Sequence, residues 1–195
     1  MEDPRGMEFA IEASLIGAEL ERADLRGRNL EGVNLTNANL RGADLSNANL
    51  KGARLIRADL SRACLHGADF TDADLMAADL SMAYMRATNF TRANLTMATM
   101  KRVTAKNAIF YDAIMRGTNV MQGEFLGSLF NGANLEGVRH AETANFFGTS
   151  GAEAREQSTT IPPPDSSDTS SADLAEQAIA RTQDGDPGGE SDAGN

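Results

Sequence analysis

From Leu15 to His140 an aliphatic or aromatic residue returns at nearly every fifth position, and a small residue usually sits two places before it. Five is the wrong period for either common element. On an α-helix each step of five turns the side chain by about 140°, so no face collects the large residues; on a strand an odd step sends every second one to the opposite face. The pattern therefore predicts a fold of its own, one short unit repeated along the chain. Of the 26 centres, 15 are Leu, 5 are Phe and 3 are Met, with Ala105, Val120 and His140 as departures. Two places earlier, 18 of the 26 residues are Ala. Centre and Ala are expected to face inward, since four large and four small side chains per coil leave no lumen for water. The residue between them faces out. It is Asp or Asn in 14 repeats, where a short polar side chain can bond nearby backbone as in an Asx turn. Glycines such as Gly32, Gly42, Gly52 and Gly67 follow the centres and suit tight corners.

A second period sets the size of the coil. Phe70, Phe90, Phe110 and Phe130 are centres spaced by 20 residues, so four repeats per coil would stack their rings in one column at about 4.8 Å. Phe125 falls outside that column. About six and a half square coils then make a rod of ~31 Å. Arg28 occupies an inward small-residue slot; an unpaired guanidinium there is costly, so it is expected to escape toward the N-terminal end or to pair with Glu8 or Glu31.

Residues 1–12, with Met7, Phe9 and Ile11, read as an apolar N-terminal cap, and residues 13–148 as the repeat domain. After His140 the register breaks, and Ala144, Asn145 and Phe146 repeat the motif one residue late. From 149 to 195, Ser, Thr, Pro, Gly and Asp dominate, and the composition is that of a disordered acidic tail. Charge divides accordingly: of the net −10, −2 belongs to residues 1–150 and −8 to the rest.

The pattern A(D/N)LXX, repeated in register, resembles the pentapeptide-repeat family over about residues 13–147. The resemblance implies an all-β fold, a right-handed quadrilateral parallel β-helix with four pentapeptides per coil. It also implies that the C-terminal coils often dimerise, and that some members protect DNA gyrase and topoisomerase IV from quinolones by presenting an acidic rod resembling duplex DNA.

Chemistry is sparse. Cys64 and His66 flank Leu65, but no orienting Asp or Asn and no pocket is expected beside them. With one Cys and His140 three coils away, neither a disulfide nor a metal site is expected. No phosphate-binding glycine loop appears, so the chain reads as non-enzymatic and without cofactor. No apolar run reaches the ~18 residues of a membrane helix, and MEDPRGMEFAIEA lacks the basic and apolar regions of a signal peptide; a cytoplasmic protein is expected.

Function must then lie on the surface. The side centred on Leu15, Leu35, Leu55, Leu75, Leu95, Met115 and Leu135 carries Ile16, Ile56, Met76, Met97 and Ile114 with Arg54, Arg57 and Arg116 beside them, the composition of a contact surface. Ile56, Met76, Met97, Ile114, Arg54 and Arg57 are the candidate partner surface. Phe125, Leu126, Leu129, Phe130, Phe146 and Phe147 are the candidate homodimer end. A protein–protein interaction scaffold with an unknown partner is the preferred reading; a gyrase-binding duplex mimic is the alternative, weakened by the near-neutral repeat body and by Arg57 and Arg62 close to the acidic set Asp69, Asp72, Asp74 and Asp79. Direct nucleic-acid binding is not expected, since no basic stripe interleaved with aromatic platforms is visible.

Overall fold

A computed structural model describes residues 14–151; the expected N-terminal cap and almost all of the expected acidic tail lie outside the described residues. Each pentapeptide contributes one residue to a parallel ladder, paired with the residue twenty positions on, as in Asn39↔Asp59↔Asp79. The twenty-residue step builds four ladders, one for each repeat of the coil. Among the described residues no continuous strand forms, because one residue in five pairs before the chain turns again. The polypeptide is held as isolated bridges and corners.

The hydrogen-bond accounting explains why five residues suffice. Three of the five N–H groups bond to neighbouring coils, as Leu40 N–H to Asp59 O, Gly42 N–H to Ser61 O and Asn39 N–H to Ala18 O do. A fourth closes the corner, as Ala43 N–H does on Leu40 O at 3.0 Å. The fifth belongs to the residue just after the centre, and here the Asx residue acts. All 14 Asp or Asn residues at the outward position, from Asp24 to Asn134, accept that N–H through Oδ1. Asn145 does the same in the shifted register. Satisfying a group that the ladder cannot reach is the reason for Asp or Asn at this spacing.

Every corner from Gly17 to Gln122 also places its second residue at positive φ, between 54° and 67°. This is the third residue of a type II turn, which favours Gly. Only some corners have Gly; Arg22, Arg57, Arg62, Ala77, Met82, Ala87, Arg92, Met97 and Arg102 adopt the same left-handed conformation. At roughly 1–2 kcal/mol each for a side chain with Cβ, these corners are held by the ladders above and below them.

Inside, the centres from Leu25 to Phe130 are buried, as are their partner Ala residues from Ala38 on, with Ala23 partly so. Phe70, Phe90, Phe110 and Phe130 stack as the spacing predicts, with centroids 5.1, 5.2 and 4.8 Å apart and planes within 14° of parallel. Phe125 starts a second column. It stacks on Phe146 at 5.0 Å and meets Phe110 and Phe130 edge-on, and Gly123 makes room for its ring, since a Cβ there would lie 2.6 Å from Cε2. Thr88 and Thr118 replace Ala inside, and their hydroxyls donate to Leu65 O and Leu95 O. Ser128 does likewise to Ala105 O while accepting Ala108 N–H at 3.0 Å.

One expectation is corrected at the C-terminal end. His140, counted as an inward centre, is exposed at φ 62°; the following 3₁₀ turn, Ala141–Thr143, inserts the extra residue and buries Ala141 in its place. Bridges beyond it accordingly span 21 residues, Glu124↔Asn145 and Leu129↔Ser150. Arg28 is half-buried and so avoids the full enclosure expected to be too costly; hydrogen bonds from Arg26 chiefly hold Asp24 low, with a smaller contribution from the charge of Arg28.

Candidate functional site

The corners, and the face positions that do not carry an Asx clamp, hold the side chains that distinguish one part of the rod from another. On one corner Ile56, Met76 and Met97 follow one another in successive coils, and Ile114 continues the line on the adjoining face. Met76, Met97 and Ile114 are exposed, whereas Ile56 is half-buried. Met97 is laid along the strip by its neighbour: a Cβ at Gly117, one coil on, would come within 2.7 Å of the Met97 Sδ. The strip extends ~14 Å over three coil steps. Arg54 and Arg57 stand at its start, and among the described residues neither is in an ion pair. At its other end Arg116 is held by Glu136 at 3.0 Å.

The residues proposed for the C-terminal end separate into two groups. Phe125 and Phe130 are enclosed in the aromatic core and cannot meet a partner directly. Leu126, Leu129 and Phe146 are half-buried, and Phe147 is 78% exposed. Leu126 and Phe147 line a shallow recess of about 320 Å³ together with Arg86, Lys106 and Asn107. The Phe146 ring, brought in by the one-residue insertion, is what covers Phe125.

The acidic set does not form a free patch. Arg92 grips both oxygens of Asp72 at 2.7 Å and holds its carboxyl below the usual range. Burial pushes Asp69 up, but hydrogen bonds from the Thr71 hydroxyl and N–H and from Lys51 outweigh it, so Asp69 also lies low. Asp74 and Asp79 clamp the N–H groups of Met76 and Ser81. Residues 14–151 hold fifteen Lys and Arg against fourteen Asp and Glu, so the rod itself is nearly neutral. Cys64 is half-buried with its Sγ 3.1 Å from Ser46 Oγ, and His66 Nδ1 lies 3.0 Å from Arg86 O. The thiol and the imidazole are thus engaged with separate neighbours. Among the described residues no three His, Cys, Asp or Glu side chains gather as a metal cluster, and no helix is long and apolar enough to cross a membrane.

The sequence profile described as pentapeptide repeats matches eight copies, over residues 13–52, 53–92, 68–104 and 83–122. The chain belongs to the pentapeptide-repeat family. Solved pentapeptide-repeat proteins form right-handed β-helices, and the family is generally non-enzymatic. Similar structures include HetL, involved in heterocyst differentiation regulation in the cyanobacterium Nostoc sp. strain PCC 7120, at 24% identity over 71% of this chain and 84% of that one, with a TM-score of 0.37. Another is trypsin-treated QnrB1, a plasmid-mediated fluoroquinolone resistance protein, at 18% identity over 87% and 97% of the two chains, with a TM-score of 0.42. A third, from the Arabidopsis thaliana thylakoid lumen, is 31% identical over 58% and 69%, with a TM-score of 0.20. No curated protein sequence matches. In this pentapeptide-repeat protein the centre, Ala and Asx positions satisfy the fold, and the corner residues are those left to vary.

Proposed function

We propose that this pentapeptide-repeat rod is a non-enzymatic scaffold that presents the strip Ile56, Met76, Met97 and Ile114, rimmed by Arg54 and Arg57, to a protein partner. The observation that carries the reading is the strip itself: Met76, Met97 and Ile114 exposed in consecutive coils beside the half-buried Ile56, on a rod whose other outward positions are mostly polar. Methionines adapt to irregular partner surfaces, and arginine at the rim supplies directional hydrogen bonds. A second copy at the C-terminal coils would use Leu126, Leu129, Phe146 and Phe147, with Phe125 and Phe130 serving as the packed layer behind them.

Duplex mimicry requires continuous acidic columns to answer a basic groove, and the near-neutral rod with its clamped and paired aspartates argues against it. Purified full-length protein added to a gyrase supercoiling assay, with and without a quinolone, tests the choice. The scaffold reading expects unchanged supercoiling and unchanged drug-induced cleavage. Inhibition or protection at low micromolar protein would overturn it.

A further inference from the structure

The four corners of the coil do not share charge evenly. One of them, formed by the residues after the centres Leu20, Leu40, Leu60, Leu80 and Met100, carries Arg22, Arg41, Arg62, Lys101 and Arg102, and its lone acid is Glu21. Arg22 has Glu21 at 3.8 Å. Among the described residues, Arg41, Arg62, Lys101 and Arg102 have no carboxylate partner, although Arg26, Lys51, Arg92, Lys106 and Arg116 on other corners do. The flanking acids among the described residues do not pair with this row. Asp59 and Asp79, on one adjoining face, clamp the N–H groups of Ser61 and Ser81; on the other face, Asp24 and Asp44 turn to Arg26 and Glu124 to Lys106.

The cationic row is interrupted once, and the interruption is apolar. Between Arg62 and Arg102 the corner residue is Met82, 37% exposed, and beside it on the adjoining face stands Tyr84, 61% exposed. The arrangement is therefore cation, apolar pair, cation, in three successive coils. From Arg62 to Arg102 the row spans two coil steps, ~10 Å, which is about one turn, three residues, of polyproline II.

We propose that this corner binds an acidic peptide in the polyproline II conformation, whose three residues per turn bring two carboxylates three residues apart to one side, with an apolar residue between them. Each carboxylate accepts a pair of N–H groups donated by the guanidinium fork of Arg62 or Arg102, and the apolar residue lies against the adaptable thioether of Met82 and the ring of Tyr84. A single-stranded nucleic acid fits less well, since it uses several aromatic platforms in succession and this corner offers one. The surface is distinct from the Ile56–Ile114 strip and stands whether or not that strip binds a partner.

Fluorescence anisotropy of a labelled peptide with a Glu-Leu-Ala-Glu core, titrated with full-length protein at low salt, tests the proposal. Saturable binding is expected, weakened at least ~tenfold in Arg62→Glu/Arg102→Glu and weakened in Tyr84→Ser. Arg92→Glu is the matched control, because Arg92 holds the same positive-φ corner position on another edge of the coil; it should leave binding unchanged, and circular dichroism verifies that each variant is folded. Absence of saturable binding, an equal loss in Arg92→Glu, no loss in Tyr84→Ser, or tighter binding of oligothymidine than of the peptide through the same arginines would each overturn it.

Discussion

Leu60 and Asp59 are neighbours in sequence with opposite assignments, and replacing each by Ala separates them. Leu60 is fully buried in the column between Leu40 and Leu80. Leu60→Ala removes a buried isobutyl group from a filled interior that ladders above and below keep from collapsing, which should cost about 2–5 kcal/mol. Asp59 is half-buried and makes one bond the fold uses, Oδ1 to Ser61 N–H at 2.8 Å. Asp59→Ala gives up that bond at a site water can reach, which should cost about 1 kcal/mol. Urea denaturation followed by far-ultraviolet circular dichroism measures both, with full-length protein at one temperature and pH. The predicted ratio is at least about twofold in favour of Leu60. Equal losses, or a larger loss for Asp59→Ala, would refute the inward and outward assignment.

Gly52→Ala isolates the corner geometry. Its φ is 61° and nothing lies within 4 Å of the new Cβ, so the loss of about 1–2 kcal/mol in the same urea assay would be backbone strain alone. Ser128→Ala deletes a buried hydroxyl that bonds Ala108 N–H and Ala105 O, leaving that N–H with only a long 3.4 Å bond to Ala105 O; a cost of about 1–3 kcal/mol is expected. Asp24, Asp69 and Asp72 have folded carboxyl pKa values below the ordinary one, Asp24 at about 2. Their stabilisation is therefore complete above the unfolded value of about 3.9 and is lost as pH falls through the lower folded values. Urea midpoints should hold from pH 7 to about 5 and fall below about 4, and Asp69→Asn should flatten that fall.

Most of the fold was legible because a period of five leaves each position one environment. The centre, Ala and Asx residues read directly, and the phenylalanine spacing revealed the four-repeat coil. The corners were less legible. Gly suggested positive φ where it occurs, but the same conformation at Arg62, Met82 or Ala87 is imposed by the ladders and leaves no mark on residue choice. His140 and Ala141 exchanged roles because a one-residue insertion can be placed on either side of a weak centre. At the candidate surfaces, the sequence placed Met76, Met97 and Ile114 on one side of the coil and the structure exposes them. Phe125 and Phe130 are centres and read as inward from the period alone; the stacking of Phe146 on Phe125 arises only through the shifted register. Arg41, Arg62 and Lys101 share a side with Asp59 and Asp79 in the sequence pattern and look neutralised there; separating corner from face, and assigning each carboxylate its partner, takes coordinates.

The claim that the Ile56–Ile114 strip is a partner surface is tested most directly by a photo-crosslinking amino acid placed in the full-length protein at Met97, with Arg92 as the comparison site, and irradiated in the cells that make the protein. The account predicts one discrete adduct from position 97, absent from position 92 and lost when Met76→Asp is added. Identical adducts from both positions, or none from position 97, would contradict it.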